Sequence, residues 1–378
     1  MNTNLNDINP IRPSDVLPMA TFVQRTNRFL FLLGAGGVGK TSILTQEVGP
    51  ALGREVWYVN LNGMGPTEVT GYGKILPDSP DMLFSEPSIW PTKRRVGNRP
   101  VICVLDEFPD YDPYVQALSR SLFPASGSPM IGPHELGSDV LFVLLGNRRA
   151  DGVRSSKVED APMTERCYKA TLTSSLGDWL DWVDKDPTAA IVPVPALPKL
   201  DPRKVESHVA AFLKFGTTAG DGRDLFHPPV TVPYDGLPHP CPRTWEAAML
   251  ADEVRISDRR LHNILLRGCV GDRAASAYLG FLSIVDTLPD IAQLKANPDS
   301  YVVSGDPSIQ YALVSACLAT GARGVKDAAV AVHNGGFDWL VSLLMRVRGD
   351  LRSYGARSAV RRGIPLDEHP RSTELLND

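Results

Sequence analysis

The stretch FLFLLGAGGVGKTSIL, Phe29–Leu44, constrains this chain more than any other. FLFLL is an apolar block without alternation, which suits a strand buried on both faces in a parallel sheet. Four glycines follow within six positions, Gly34, Gly36, Gly37 and Gly39. Glycine enters left-handed backbone freely and lets a ligand approach the main chain closely. Helical spacing resumes in TSILTQEV, with Ile43 and Leu44 sharing a face with Val48. Strand, glycine loop and helix, with the spacing Gly34-x-x-x-x-Gly39-Lys40-Thr41, read as a phosphate-binding loop. Backbone N–H groups and a helix N-terminus cradle phosphates in such a loop. The candidate binding residues are therefore Gly34, Ala35, Gly36, Gly37, Val38, Gly39, Lys40, Thr41 and Ser42. Lys40 would reach the β and γ oxygens, and the Thr41 hydroxyl would hold Mg2+.

With 378 residues the chain has room for two or three domains and a substantial core. Its net charge of -4 gives no global attraction to nucleic acid or anionic lipid. No apolar run is long enough to span a membrane, and residues 1–28 lack a basic start followed by an apolar core, so a cytoplasmic location is expected. Five cysteines, an odd number, lie far apart with no C-x-x-C pair, which points to reduced buried thiols rather than a zinc site or a disulfide framework.

Strand-like runs recur at Phe29–Leu33, Val56–Asn60, Val101–Leu105, Val140–Leu145 and Tyr168–Leu172, separated in part by helical patterns. An α/β domain with a parallel central sheet is expected over residues 25–190. Residues 1–24, carrying Pro10, Pro13 and Pro18, read as an extended N-terminal arm. Residues 191–241 open with IVPVPALPKLDP and read as a semi-rigid connector and a helix. From Pro242 strands disappear, and WEAAMLADEV, DRRLHNILLRG, DRAASAYLGFLSIV, IQYALVSACLAT and FDWLVSLLMRV all have helical spacing. This predicts a helical lid and C-terminal domain over 242–363, followed by a disordered tail at 364–378.

Two later strands end in polar residues suited to phosphate chemistry. VICVLDEF, Val101–Phe108, ends in adjacent acids, where Asp106 would hold Mg2+ and Glu107 would polarise the attacking water. VLFVLLGN ends in Asn147, a neutral side chain able to orient that water. PRTWE sets Pro242 at a helix start and Arg243 in its first turn, aimed from a lid toward phosphate.

The order of these motifs resembles the MoxR-like branch of the AAA+ ATPases, including the short versions carried by bacteriophages. The resemblance rests on GAGGVGKT, TEVTGYG (Thr67–Gly73), LDEF, LLGNRRADG, the TERCY segment and CPRTWE, and spans residues 25 to about 285. It implies an AAA+ P-loop NTPase domain with an all-helical lid, ATP and Mg2+ as ligands, and a homo-oligomeric ring, usually a hexamer, that remodels a protein partner. A substrate or adaptor with a von Willebrand factor A-type domain belongs to that picture. By position, Lys40 and Thr41 would bind nucleotide and Mg2+, Asp106 and Glu107 would form the second acidic motif, and Asn147 the first sensor. Arg166 would be the arginine finger and Arg243 the second sensor. Arg148, Arg149 and Arg154 compete for the finger role, and Cys167 stands where the family has an aromatic or apolar residue.

Tyr72, within TGYG, reads as a packing residue of a structural turn, with gripping of a threaded chain as the alternative. A basic run, Arg346, Arg348, Arg352, Arg357, Arg361 and Arg362, keeps a DNA-acting motor or loader open as a rival function, although a solvated helical face or subunit contact explains it more simply. A third reading is an ATP-dependent binding switch with low turnover.

Overall fold

The computed structural model describes residues 9–76, 80–122, 128–147, 161–186, 190–202, 204–215, 225–226, 236–323, 336–361 and 363–376. Contacts divide the chain into two compact units, residues 1–205 with 228–275, and residues 206–227 with 276–378.

The first unit is built on a six-stranded parallel sheet. Its strands are β1 (Pro10–Ile11), β2 (Phe29–Leu33), β3 (Glu55–Asn60), β4 (Val101–Asp106), β5 (Val140–Gly146) and β6 (Cys167–Leu172). Their order across the sheet is β1-β6-β2-β5-β4-β3, so the strand before the glycine loop is separated from the acidic strand by β5. All five residues of β2 are buried, because helices and loops cover both faces of a parallel sheet. Phe29, Phe31, Cys103, Leu105, Phe142 and Leu144 form one core face with Trp90, Phe108 and Tyr111. This is the α/β architecture with a parallel sheet, followed by helices, that the AAA+ resemblance implies.

Residues 9–24 do not form an extended arm, and residues 1–8 of that expected arm lie outside the described residues. Pro13–Val23 is a helix, α1, and only Pro10–Ile11 is extended, as the edge strand β1. Pro13 sits in the first turn, where its missing N–H costs nothing, and Asp15 accepts a hydrogen bond from the Arg12 N–H at 2.8 Å. Val16, Met19, Ala20 and Val23 give the buried face the i, i+3, i+4, i+7 spacing that the prolines obscured.

The glycine loop leads into α2, which starts at Lys40–Ile43, widens through a π turn at Leu44–Val48 and ends at Gly49–Ala51. Beyond β6 comes α3 (Leu176–Val183). The proline-rich segment runs along this unit, with the Val194 N–H donating to Ala51 O at 2.7 Å and the Leu200 N–H to Arg25 O at 2.7 Å. Helices α4 (Pro242–Ala251) and α5 (Arg259–Val270) belong to the same unit. Arg260 of α5 clasps Asp15 of α1 through both carboxylate oxygens at 2.8 and 2.6 Å.

The second unit is helical over its described residues. It contains most of α6 (Asp272–Val285), then α7 (Pro307–Arg323), α8 (Asp338–Arg346) and α9 (Gly349–Arg361). The expected disorder after 363 is corrected through residue 376. Ile364, Leu366 and Leu375 are buried, and Ser372–Leu376 forms a short helix, α10. A few apolar residues dock this otherwise charged segment, which its composition hid. All five cysteines are buried free thiols. Among the described residues no helix is long and apolar enough to cross a membrane.

Helix α5 lies so close to β6 that Gly268 has no room for a side chain. A Cβ there would stand 2.6 Å from Lys169 O and 3.0 Å from Lys169 N. Gly268→Ala should therefore destabilise the protein by about 1–3 kcal/mol, although alanine is the better helix former. Gly280→Ala in α6, where nothing lies within 4 Å, should instead stabilise by about 0.4–1 kcal/mol. Urea unfolding of both variants checks the opposite signs.

Candidate nucleotide-binding site

The glycine loop is shaped by what its glycines exclude. Gly34 continues the ladder by donating to Gly146 O at 3.1 Å, and a Cβ on it would lie 2.9 Å from Leu172 O. Gly37 and Gly39 have φ of +77° and +95°, left-handed values that L side chains rarely adopt. Nothing lies within 4 Å of the position a Cβ would take at Gly36 or Gly37, so that side of the loop is open. It borders a cavity of about 830 Å³, ample for a nucleoside triphosphate. An open glycine cradle, a helix beginning at Lys40 and a cation beside both fit a triphosphate. Thr41 and Asp106, oxygen donors both, fit the hard cation Mg2+.

Lys40 is buried. Its ammonium donates to Gly34 O at 2.8 Å, Ala35 O at 3.0 Å and Asn147 Oδ1 at 3.2 Å. Two residues chosen separately from the sequence, 107 positions apart, thus meet. Register explains it. Leu33 of β2 pairs with Gly146 of β5, so the two strands end level. Gly146 is required there, because Pro109 Cγ lies 2.6 Å from where its Cβ would stand.

Leu105 of β4 pairs with Leu144 of β5, which brings Asp106 and Glu107 to the same sheet edge. Glu107 has φ of +54°, uncommon for a non-glycine residue and a modest store of strain. Asp106 Oδ1 accepts from the Glu107 N–H at 2.9 Å. Its other oxygen accepts from the Tyr58 hydroxyl. Glu107 Oε2 accepts from the side-chain amides of Asn62 at 2.6 Å and Asn60 at 3.3 Å. Sequence reasoning missed Tyr58, Asn60 and Asn62. The polar end of β3, YVNLN, was the available signal, but its use required knowing that β3 adjoins β4.

Arg166 and Arg243 lie elsewhere. Arg166 O accepts from the Phe29 N–H, at the beginning of β2, while the glycine loop follows its end. Five residues of strand separate them, roughly 16 Å at ~3.3 Å per residue. Arg243 stands near the same far edge: its guanidinium is 2.5 Å from Glu165 Oε2, and its carbonyl accepts from Arg28 at 2.7 Å. The expected aim of Arg243 from a lid toward phosphate is not met within this chain, because α4 starts beside the end of the sheet opposite the glycine loop. His239 Nε2 is 3.5 Å from the other Glu165 oxygen. The His239 bond, then the Arg243 charge, outweigh burial and hold the Glu165 carboxyl below its ordinary range. Burial, then repulsion from Arg243, lower the pKa of Arg166, whose guanidinium donates to Pro162 O at 2.5 Å. Glu165, His239 and Cys241 bring possible metal-ligand atoms within 4.8 Å of one another, but Arg243 already engages the carboxylate. Arg148, Arg149 and Arg154 lie outside the described residues.

Tyr72 is 61% exposed, so its expected packing role is not what the fold uses. It adjoins a hairpin, Gly73–Ile75 with Met82–Phe84, whose Ile75, Leu83 and Phe84 are also exposed. In the second unit, Arg346 donates to Ser342 O at 3.2 Å and Tyr301 O at 3.0 Å, Arg348 pairs with Asp350 at 3.4 Å, and Arg357 donates to Leu376 O at 3.4 Å. Arg362 lies outside the described residues.

No protein-family model matches this chain, and no curated protein matches it. Among solved structures, a candidate ATPase from Cytophaga hutchinsonii is similar at 12% identity, with 70% of this chain and 79% of that chain covered and a TM-score of 0.41.

Burial, then the bond to Asp106 and the charges of Asp106 and Glu107, push the Tyr58 phenol above its ordinary pKa. Tyr58 therefore stays a donor at alkaline pH where an ordinary tyrosine ionises. Asp106→Asn should bring its titration down toward the usual phenol range. Ultraviolet difference spectra against matched Tyr58→Phe proteins would report the shift.

Proposed function

We propose that this chain is an ATP-hydrolysing AAA+ motor of MoxR-like type that works as a homo-oligomeric ring, a hexamer in the simplest case, and remodels a protein partner. The observation that carries the reading is the division of the site between two ends of one sheet. Lys40, Asn147, Asp106 and Glu107 share the end where the strands finish. Arg166 and Arg243 stand at the other end, too far away to serve the same nucleotide. Both arginines gain a phosphate to act on if a neighbouring subunit presents its glycine loop to them, which is why a ring fits better than a monomer.

In this reading Lys40 and the loop N–H groups bind the β and γ phosphates, and Thr41 and Asp106 hold Mg2+. The metal would neutralise charge on the phosphate oxygens. Glu107 accepts a proton from the attacking water, and Asn147 orients that water beside Lys40. Arg166 lends positive charge across the subunit boundary. The exposed apolar hairpin beside Tyr72 favours a protein partner. The DNA-acting alternative is weakened because Arg346, Arg348 and Arg357 are already engaged with carbonyls or Asp350.

Glu107→Gln should leave ATP bound while nearly stopping hydrolysis, since glutamine keeps the shape but is a very poor base. Lys40→Ala should lose most ATP affinity. Equilibrium binding of a fluorescent ATP analogue and phosphate release separate the two, and tight binding by Lys40→Ala would sink the assignment of the loop.

The ring has a sharper test. Arg166→Ala should bind ATP nearly normally and hydrolyse it roughly 10³-fold or more slowly, the usual scale for a finger supplied by a partner. Mixing it with Glu107→Gln should restore activity, because some interfaces then pair an intact site with an intact finger. Subunit exchange, followed by energy transfer between labels, is the control. Exchange without restored activity would show that Arg166 does not act across the interface.

A further inference from the structure

The cavity beside the glycine loop has a second wall that the reaction does not use. Helix α3 buries none of its residues, yet it carries two tryptophans, Trp179 and Trp182, that are 54% and 50% exposed. Both line the same cavity of about 830 Å³ as Gly36, Gly37 and Gly39. Spaced i and i+3, they sit on neighbouring parts of one helical surface. Asp178 and Asp181 line the cavity beside them.

Core packing does not hold this helix in place; polar contacts do. Ser175 caps it, with the Asp178 N–H donating to Ser175 Oγ at 3.2 Å and the Ser175 N–H donating back to Asp178 Oδ2 at 2.8 Å. Just past the other end of the helix, Lys185 pairs with Glu47 of α2 at 3.0 Å. The tryptophan wall is therefore fastened to the helix that begins at the phosphate cradle. Two large aromatic faces left half in water, across one cavity from that cradle, are apolar surface awaiting a flat ligand.

We infer that Trp179 and Trp182 form the base subsite of the nucleotide, stacking a purine ring whose phosphates lie in the Gly34–Thr41 loop. The inference rests on the nucleotide-binding reading above and extends it to residues for which no motif exists. The Asp178 and Asp181 carboxylates, acceptors only at neutral pH, suit the exocyclic amino group of adenine. Stacking supplies affinity without strict selection, because every base has a π face, and a purine offers more of it than a pyrimidine. The subsite thus divides the work. The loop reads the triphosphate, and α3 reads the base.

The test uses the full-length protein and compares ATP with inorganic tripolyphosphate, which has the phosphates and no base. Calorimetric titration of Trp179→Ala and Trp182→Ala should show ATP affinity reduced roughly 10- to 100-fold in at least one variant. Tripolyphosphate affinity should stay within about twofold of the unsubstituted protein, well below the effect of losing one stacked base. Phenylalanine at the sensitive position should recover most of the loss. Because neither tryptophan belongs to the core, both variants should fold, which circular dichroism confirms. An unchanged ATP affinity in both variants overturns the base subsite, as does an equal loss for both ligands. Lys40→Ala separates the two readings, since it should weaken tripolyphosphate and ATP alike. If the unsubstituted protein binds neither ligand, the nucleotide reading and this inference fall together. If it binds both and neither tryptophan variant loses affinity for ATP selectively, this inference alone falls.

Discussion

Strand β2 has no face toward water, and that constraint organises the first unit. Its backbone must be satisfied within the sheet, so it is flanked on both sides by parallel partners, β6 and β5. Parallel pairing makes strands finish at a common edge, and the chain emerging from each finish must turn. The glycine loop, Gly146-Asn147 and the acid pair are three such exits from adjacent strands. Their meeting follows from register rather than from any attraction among the polar groups. The hydrogen bond from Lys40 to Asn147 is a result of the alignment, not its cause.

Much of this was legible in the chain. A strand buried on both faces is written as an uninterrupted apolar run, and FLFLL, VICVL and VLFVLL correspond to β2, β4 and β5. The phosphate cradle was legible because its backbone needs glycine at Gly37 and Gly39, and few other requirements put glycine at that spacing. What stayed hidden depends on contacts distant in sequence. Tyr58, Asn60 and Asn62 become partners of the acid pair only once β3 lies beside β4. The position of Arg243 depends on where α4 packs, which local spacing does not record. Helix α1 was hidden because prolines at 13 and 18 outweighed a buried periodicity, and the end of the chain because three apolar residues dock a charged segment.

The cluster at the far edge balances its charges differently from the loop. Arg243 pairs with the Glu165 carboxylate, His239 lies against its other oxygen, and Arg28 donates to the Glu165 backbone carbonyl, so a carboxylate stands beside Arg166. That compensation matters for a half-buried guanidinium, whose burial and proximity to Arg243 both work against its charge. Glu165 also ties the turn before β6 to the first turn of α4. Any movement of α4 is therefore transmitted to the residue beside the candidate finger.

Gly146 has one further consequence. Pro109 occupies the space where its side chain would be, so the turn following the acid pair rests directly on the strand that carries Asn147. The two cannot slide past each other without opening a void, and close-packed interiors resist voids. Glu107 and Asn147 are therefore mounted on a single rigid block, and their spacing is a property of the scaffold. That block is set by an absent side chain, two residues away from the chemistry on one side and one residue away on the other.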